Sequence, residues 1–485
     1  MSSQTASPCI VWFRDDLRLS DHPALHAAAS TGRPVICLYV FDEESQVADT
    51  RALGGAAKWW LAQSLRSLQR DLASIGAALL LRKGPAARVI ADLARETGAC
   101  AVFWNEIAQA PELAVAGQVA AALDEIGVNS QRLPGDLLAA PAQIRSKDGR
   151  GLRVFTPFWR RVQGLGDPPR PLPAPKALPP VEGLAGDSVE DWRLEPTKPD
   201  WAGGLRKNWN AGERSARQRL QEFLDGGAAG YASERDRPDQ AGTSRLSPHL
   251  RFGEISPRQV WHAARFASAG RPALSQDVEK FLSELGWREF CRHLLFDIPD
   301  LAERNLQSSF DTFPWKGDDD ALRAWQRGRT GYPIVDAGMR ELWHTGVMHN
   351  RVRMVAASFL VKHLLIDWRC GEKWFWDTLI DADPGSNPAN WQWVAGCGAD
   401  AAPYFRIFNP ILQGEKFDPD GVYVRRWVPE LARLPAGLIH QPWSASPLEL
   451  AAAGVELGKT YPAPIVDHRK ARERALAAYA KVRAR

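Results

Sequence analysis

A chain of 485 residues, 45% hydrophobic and 24% charged, is too long for one core and too apolar to be a disordered polymer, so two domains and their connections are expected. The net charge of +4 excludes nucleic-acid binding by bulk charge. Seven Lys or Arg and one Glu fall within 468–485, so the remainder is slightly acidic and any such binding needs a local patch.

The opening MSSQTASP lacks a charged segment followed by an apolar one, and no apolar run nears the roughly 20 residues of a membrane span. A soluble, unexported, cytoplasmic monomer is expected, with no membrane partner. Over 1–135, short β-rich runs alternate with helical patterns. CIVWF, PVICLYVF, AALLLRK and ACAVFW read as buried parallel strands, and 56–75, 85–97 and 111–126 carry apolar residues at helical spacing. Strand and helix in turn predict a doubly wound parallel sheet, an α/β domain. No GxGxxG follows the first strand, which argues against a Rossmann-type dinucleotide site. Arg14, Asp15, Asp16 and Arg18 crowd the first turn and read as salt-bridged structure. Residues 136–205 read as an interdomain linker, because PPRPLPAPKALPP cannot propagate helix or sheet. From 206 to 485 the pattern is all helical, with long amphipathic segments such as 350–365.

Within the helical part, GTSRLSPHL places Thr243, Ser244 and Ser247 in a loop opening a helix, where hydroxyls and backbone N–H groups favour a phosphate. The same residues cap most helices without binding anything. Of 20 tryptophans, eleven lie between Trp287 and Trp443, around IDADPGSNPANWQW (380–393) and the aromatic, amide-rich stretch 391–421. Any one tryptophan is ordinarily core packing, but this concentration suggests a site that stacks planar rings. The six cysteines (Cys9, Cys37, Cys100, Cys291, Cys370, Cys397) form no CxxC pair and no metal-ligand spacing, and read as reduced thiols.

VWFRDDLRLSDHPAL (11–25), TSRLSPHLRFGEISPRQV (243–260), FLSELGWREFCRHLL (281–295), GRTGYPIVDAGMREL (328–342), MHNRVRMVAASFLVKHLLIDWRCGE (348–372) and the 380–421 region stand in one order along the chain. Together they resemble the DNA photolyase and cryptochrome family, most of all a bacterial class I cyclobutane pyrimidine dimer photolyase. The resemblance implies a sheet domain, a linker and a helical domain holding FAD. Tyr231, Thr243, Ser244, Arg245, Leu246, Ser247, Phe281, Arg353, Asp381, Ala382, Asp383 and Asn387 match its flavin contacts, with Arg353 the partner of Asp381. Phe281 stands where relatives often carry Trp. Asn387 matches the residue facing flavin N5, where plant-type cryptochromes carry Asp and animal-type ones Cys; the amide points to repair.

The activity implied is light-driven splitting of cyclobutane pyrimidine dimers by an electron from excited reduced FAD, the dimer being flipped out of damaged DNA. By the same resemblance Trp287 and Trp393 wall the cavity, Met354 lines it, and Glu284 and Asn350 contact the bases. Glu284 also stabilises the dimer radical anion. Arg235, Arg351 and Gln413 match DNA contacts, and Trp391, Trp368 and Trp315 match an electron relay from flavin to surface. His349 followed by Asn350 lacks the histidine pair of (6-4) repair, so His349 reads as a packed helix-end residue. A second, antenna chromophore is left open. PDLAERN (299–305) lacks the Cys-Lys pair of some folate-binding relatives, so a folate is disfavoured, and a deazaflavin and an empty site stay as alternatives. The competing function is a cryptochrome-like photoreceptor without repair. Such receptors usually carry a long C-terminal extension, and the chain closes at Arg485 soon after the last block, which favours the enzyme.

Overall fold

The computed structural model describes residues 6–45, 47, 50–400 and 405–483. Ala401 to Tyr404 of the aromatic stretch, most of the opening segment and the last two residues of the basic tail lie outside it. The chain gathers into two compact units. The first holds residues up to 202 with 209–229 and 244–300; the second holds 203–208, 230–243 and 301 onward.

Five parallel strands form the sheet of the first unit: β1 (Cys9–Phe13), β2 (Val35–Phe41), β3 (Leu79–Lys83), β4 (Ala101–Asn105) and β5 (Asn129–Leu133), in the order β3-β2-β1-β4-β5. Helices Pro23–Ser30, Gly55–Ser74, Ala86–Thr97 and Ala110–Asp124 alternate with them. β1 and β4 are buried along their whole length, which is why they read as unbroken apolar runs. β5 has no such signal. Its NSQRL is polar and largely exposed at the sheet edge, and it is held by backbone pairing from Ala101↔Asn129 to Asn105↔Leu133.

The boundaries expected at 135 and 205 do not coincide with these units. Helices Glu213–Glu222, Pro257–Gly270 and Ser275–Asp297 belong with the sheet, and buried carboxylates tie them to it. Glu213 accepts from the Leu19 N–H at 2.6 Å, Glu289 from the Leu138 N–H at 2.7 Å, and Asp21 from Ser256 Oγ at 2.5 Å. Left unpaired, each such group would cost several kcal/mol, so packing follows the pairs and not the change in composition. The proline-rich residues 165–189 contain no helix or strand and lie against the same unit, Leu178 and Asp187 donating to Ile75 and Leu81 carbonyls at 2.9 and 2.8 Å.

The crowded first turn is structural. Arg14 pairs with Glu112, Asp15 with Arg251 at 2.5 Å, and the buried Arg18 donates to the carbonyls of Asp21 and Gly253. Burial pushes the Asp16 carboxyl up, but His22, the Arg14 N–H and Arg18 outweigh it and hold the group down at about 2.

The second unit is helical around a core that includes Trp325, Tyr332, Phe359, Trp368, Trp391 and Tyr423. The expected helix over 350–365 is α-helical only as Asn350–Ser358. It widens into a π-helical turn, Phe359–Leu364, and stops where Leu365 takes a left-handed φ of 56°. Among the described residues no helix is long and apolar enough to cross a membrane.

Buried histidines make this unit acid-sensitive. Burial lowers His363 to about 3 and His349 to about 4, and also lowers His440 and His468; His363 Nε2 lies 2.8 Å from His468 Nδ1. His363 and His349 stay neutral when folded but take up protons near pH 6.5 when unfolded, so stability falls as pH drops below that value. The carboxyls of Asp336 and Asp418, raised by burial, act in the opposite sense. The fully buried His363 alone should cost on the order of 2 kcal/mol at pH 5. Hydrogen exchange of the 301–483 amides should therefore show protection lost between pH 6.5 and 5; unchanged protection would contradict the assignment.

Candidate functional site

The second unit concentrates polar groups where its chain reads IDADPGSN. Asp383 Oδ1 accepts from the N–H groups of Gly385 and Ser386 at 2.9 and 2.7 Å and so fastens the start of helix Ser386–Ala395. At the second position of that helix, Asn387 is 8% exposed and its Nδ2 donates to the Glu372 backbone oxygen at 3.1 Å and to the Glu372 carboxylate at 2.8 Å. That leaves Oδ1 to act as an acceptor. Arg353 Nη2 donates to both oxygens of the buried Asp381 at 3.1 and 2.8 Å, and its Nε to the Met348 carbonyl at 2.7 Å. Ala382, between the two acids, is 2% exposed and brings no polar side chain.

Helix Ser386–Ala395 also carries Trp391 and Trp393, which two residues of helical rotation point in different directions. Trp391 packs edge-on to Phe375 and Trp325, with centroids 5.0 and 6.1 Å away, and Gly371 makes room for it: a Cβ there would lie 2.1 Å from Trp391 Cη2. Trp393 is half-buried and donates to the Asp400 carbonyl at 3.0 Å. Trp368 is fully buried with Nε1 on Asn305 Oδ1 at 2.9 Å, and the half-buried Trp315 lies against Phe313 at 4.3 Å.

On the outer side of this unit, Asn350 is exposed at the first turn of helix Asn350–Ser358, and Met354 is half-buried one turn on. His349 caps that helix, Nδ1 accepting from the Arg351 N–H at 3.2 Å, so it serves as a neutral end group. Arg351 pairs with Asp236 and lies 4.5 Å from the Phe417 ring centroid. Arg235 lies over the Tyr231 ring at 5.7 Å, and Gln413 is half-buried with its Oε1 away from solvent. Thr243 is half-buried at the end of the same segment.

In the first unit, Ser244 is half-buried, Leu246 is buried and Ser247 is exposed at the start of the short helix Ser247–Arg251. Arg245 takes a φ of 51° and lays its guanidinium 4.3 Å from the Trp209 ring. Helix Ser275–Asp297 carries the buried Phe281, in ring contact with Phe223, then Glu284, which pairs with Lys280 at 2.8 Å, then the half-buried Trp287. Trp287 stacks face to face on Phe155, centroids 3.8 Å apart and planes 5° from parallel.

Three residues outside the expected site set make these contacts, Glu372 at the end of the 348–372 block and Phe155 and Asp236 outside every block. Glu372 fixes the Asn387 amide, Phe155 backs Trp287, and Asp236 engages Arg351. Phe155 had a legible signal, since FTPFW places Phe155, Phe158 and Trp159 on one helical face within the presumed linker.

Asn387 Oδ1 suits an N–H such as that at N5 of a reduced flavin, and Arg353 keeps the Asp381 charge neutralised within the fold; these residues fit FAD. Residues 281–481 match the family model for the FAD binding domain of DNA photolyase, and residues 9–176 match that for DNA photolyase. A deoxyribodipyrimidine photo-lyase from Agrobacterium fabrum is 54% identical over all of this chain and 99% of its own. Cryptochrome-1 from Arabidopsis thaliana is 41% identical over 96% of this chain and 69% of its own. A crystal structure of a bacterial class III photolyase from Agrobacterium tumefaciens superposes with a TM-score of 0.95 at 52% identity, covering 100% of this chain and 99% of that one. The expected class I membership finds no support here, since the solved structure just described is that of a class III photolyase. The chain binds FAD and belongs to the DNA photolyase and cryptochrome family.

Proposed function

We propose that this protein is a deoxyribodipyrimidine photo-lyase of the class III kind, acting on cyclobutane dimers in DNA as a cytoplasmic monomer. The observation that carries the reading is the Asn387 amide, held through its Nδ2 by Glu372, in the same segment as Asp381 with its partner Arg353. FAD, when bound and reduced, supplies one electron in its excited state and takes it back after the dimer bonds open. Asn387 Oδ1 would accept from the N5 N–H and, having no ionisable proton, would not offer one to that nitrogen as Asp would. Tyr231, the 243–247 loop, Phe281, Ala382 and Asp383 complete the flavin contacts.

A dimer has weakened pairing and stacking, so flipping it out costs less than flipping normal bases. Trp287, Trp393 and Met354 give it apolar surface, Glu284 and Asn350 bind its polar edges, and Arg235, Arg351 and Gln413 bind the flanking backbone. Trp391, Trp368 and Trp315 would pass electrons inward to bound oxidised flavin; repair by already reduced protein would not use them.

Glu284 separates binding from chemistry. Glu284→Ala should lower the repair yield per photon several-fold more than the affinity for dimer-containing duplex measured in the dark, because a contact that strengthens in the reacting state acts on rate. The parent should bind that duplex at least about tenfold tighter than undamaged DNA. Equal parental affinities would remove dimer recognition from the proposal, and equal losses in the variant would reduce Glu284 to a binding residue.

A further inference from the structure

Cys9 opens β1 and Cys100 immediately precedes β4, its parallel neighbour. Cys9 pairs in register with Ala101, and the Cys100 N–H donates to the Pro8 carbonyl at 2.9 Å, so the backbone sets Cys100 diagonally across from Cys9, one residue out of register. Their sulfurs are 3.7 Å apart although the residues are 91 positions apart in sequence. A strand spacing of about 4.8 Å and one residue's rise of about 3.3 Å give a diagonal of about 5.8 Å, inside the roughly 4.4–6.8 Å Cα range that a disulfide spans without backbone movement. Side-chain rotation is all that closing the bond requires.

The two thiols differ in access. Cys9 is 1% exposed and burial pushes its thiol up to about 11, with Cys100 beside it adding to the rise; Cys100 is half-exposed. Cys37 and Cys397 are fully buried, with no second thiol among their described hydrogen-bond partners.

We propose that Cys9 and Cys100 form an oxidation site, which a peroxide converts into an intramolecular disulfide across the amino ends of β1 and β4. The Cys100 thiolate attacks one peroxide oxygen; the O–O bond breaks, a sulfenic acid forms, and the departing hydroxide takes up the thiol proton as water. Cys9 sulfur then displaces the hydroxyl group from Cys100, the S–S bond forms, the S–O bond breaks, and a second water leaves with the Cys9 proton. Two thiols lose two electrons and one peroxide gains them. Peroxide is also what dioxygen yields on reoxidising a reduced flavin, so a flavoprotein of this kind meets the oxidant at its own surface. The protonated state of Cys9 makes the second step the slower one. The FAD binding domain match covers residues 281–481, and neither Cys9 nor Cys100 is among the flavin contacts, so FAD content is unaffected.

The test uses the full chain with FAD bound, treated with hydrogen peroxide, alkylated under denaturing conditions and digested without reduction. A peptide pair joining Cys9 to Cys100 should appear and vanish on treatment with a dithiol, with FAD content unchanged. With dimedone present, Cys9→Ser should trap a sulfenic acid at Cys100, whereas Cys100→Ser should give no adduct at Cys9. Peroxide that drives Cys100 of the parent to sulfinic acid with no link to Cys9 would overturn the proposal, as would a link from either cysteine to a different partner. Mapping on the parent decides the matter even if a variant folds poorly.

Discussion

Light-driven reduction of oxidised flavin by an external thiol is expected to slow by roughly tenfold or more in Trp315→Phe, while repair by chemically pre-reduced protein stays within about twofold of the parent. The substitution removes the easily oxidised indole but keeps an aromatic ring against Phe313, whose centroid is 4.3 Å away, and Trp315 is only half-buried. Trp368 is a poorer place for the same experiment. Its Nε1 satisfies Asn305 Oδ1 at 2.9 Å in the core, so phenylalanine there would also cost about 1 kcal/mol for the lost hydrogen bond. Undiminished photoreduction in Trp315→Phe would make Trp315 a packing residue. A collapse of repair by pre-reduced protein would mean that relay and repair are not separate functions.

The second large effect is expected at Asn387. Asn387→Asp replaces a donor by a carboxyl group 2.8 Å from the Glu372 carboxylate, itself 1% exposed. Two buried carboxylates at that distance cannot both ionise, so the pair should retain a proton and titrate well above the ordinary carboxylate range. The folded variant then binds a proton that its unfolded chain releases. Its stability deficit, on the order of 2 kcal/mol near pH 8, should shrink as pH falls towards 5. The retained proton also stands beside flavin N5, so the yield of repair should drop by roughly tenfold. Thermal unfolding of variant and parent across that pH range, with repair yield measured on the same preparations, checks both effects. A deficit independent of pH would mean that Asn387 and Glu372 do not share the geometry described.

How much of this could be read beforehand depended on whether a feature leaves its mark on one segment. The strands β1 and β4 did, because full burial requires consecutive apolar residues; β5 did not, because an edge strand pairs through its backbone and tolerates NSQRL. Helix Asn350–Ser358 begins at its expected start, but its transition to a π turn depends on packing and has no local signature. The unit boundaries were hidden for a related reason: Glu213, Glu254 and Glu289 look like surface residues until their partners Leu19, Ser64 and Leu138 are known. The same holds at the flavin site. Asn387 stands in a recognisable block, whereas Glu372, 15 positions earlier on another helix, gains its role only in three dimensions. Phe155 did leave a local mark, the helical spacing of FTPFW, which the prolines that follow it masked.

Light-dependent repair is the most direct measurement. Protein carrying one fully reduced FAD would be mixed with an oligonucleotide holding a single cyclobutane pyrimidine dimer, and one half kept dark while the other is exposed to blue light. Intact pyrimidines should return in the illuminated half, with none restored in darkness and many dimers split per protein molecule. Dimer DNA that is bound by the reduced flavoprotein yet stays unrepaired under light would contradict the assignment of a photo-lyase.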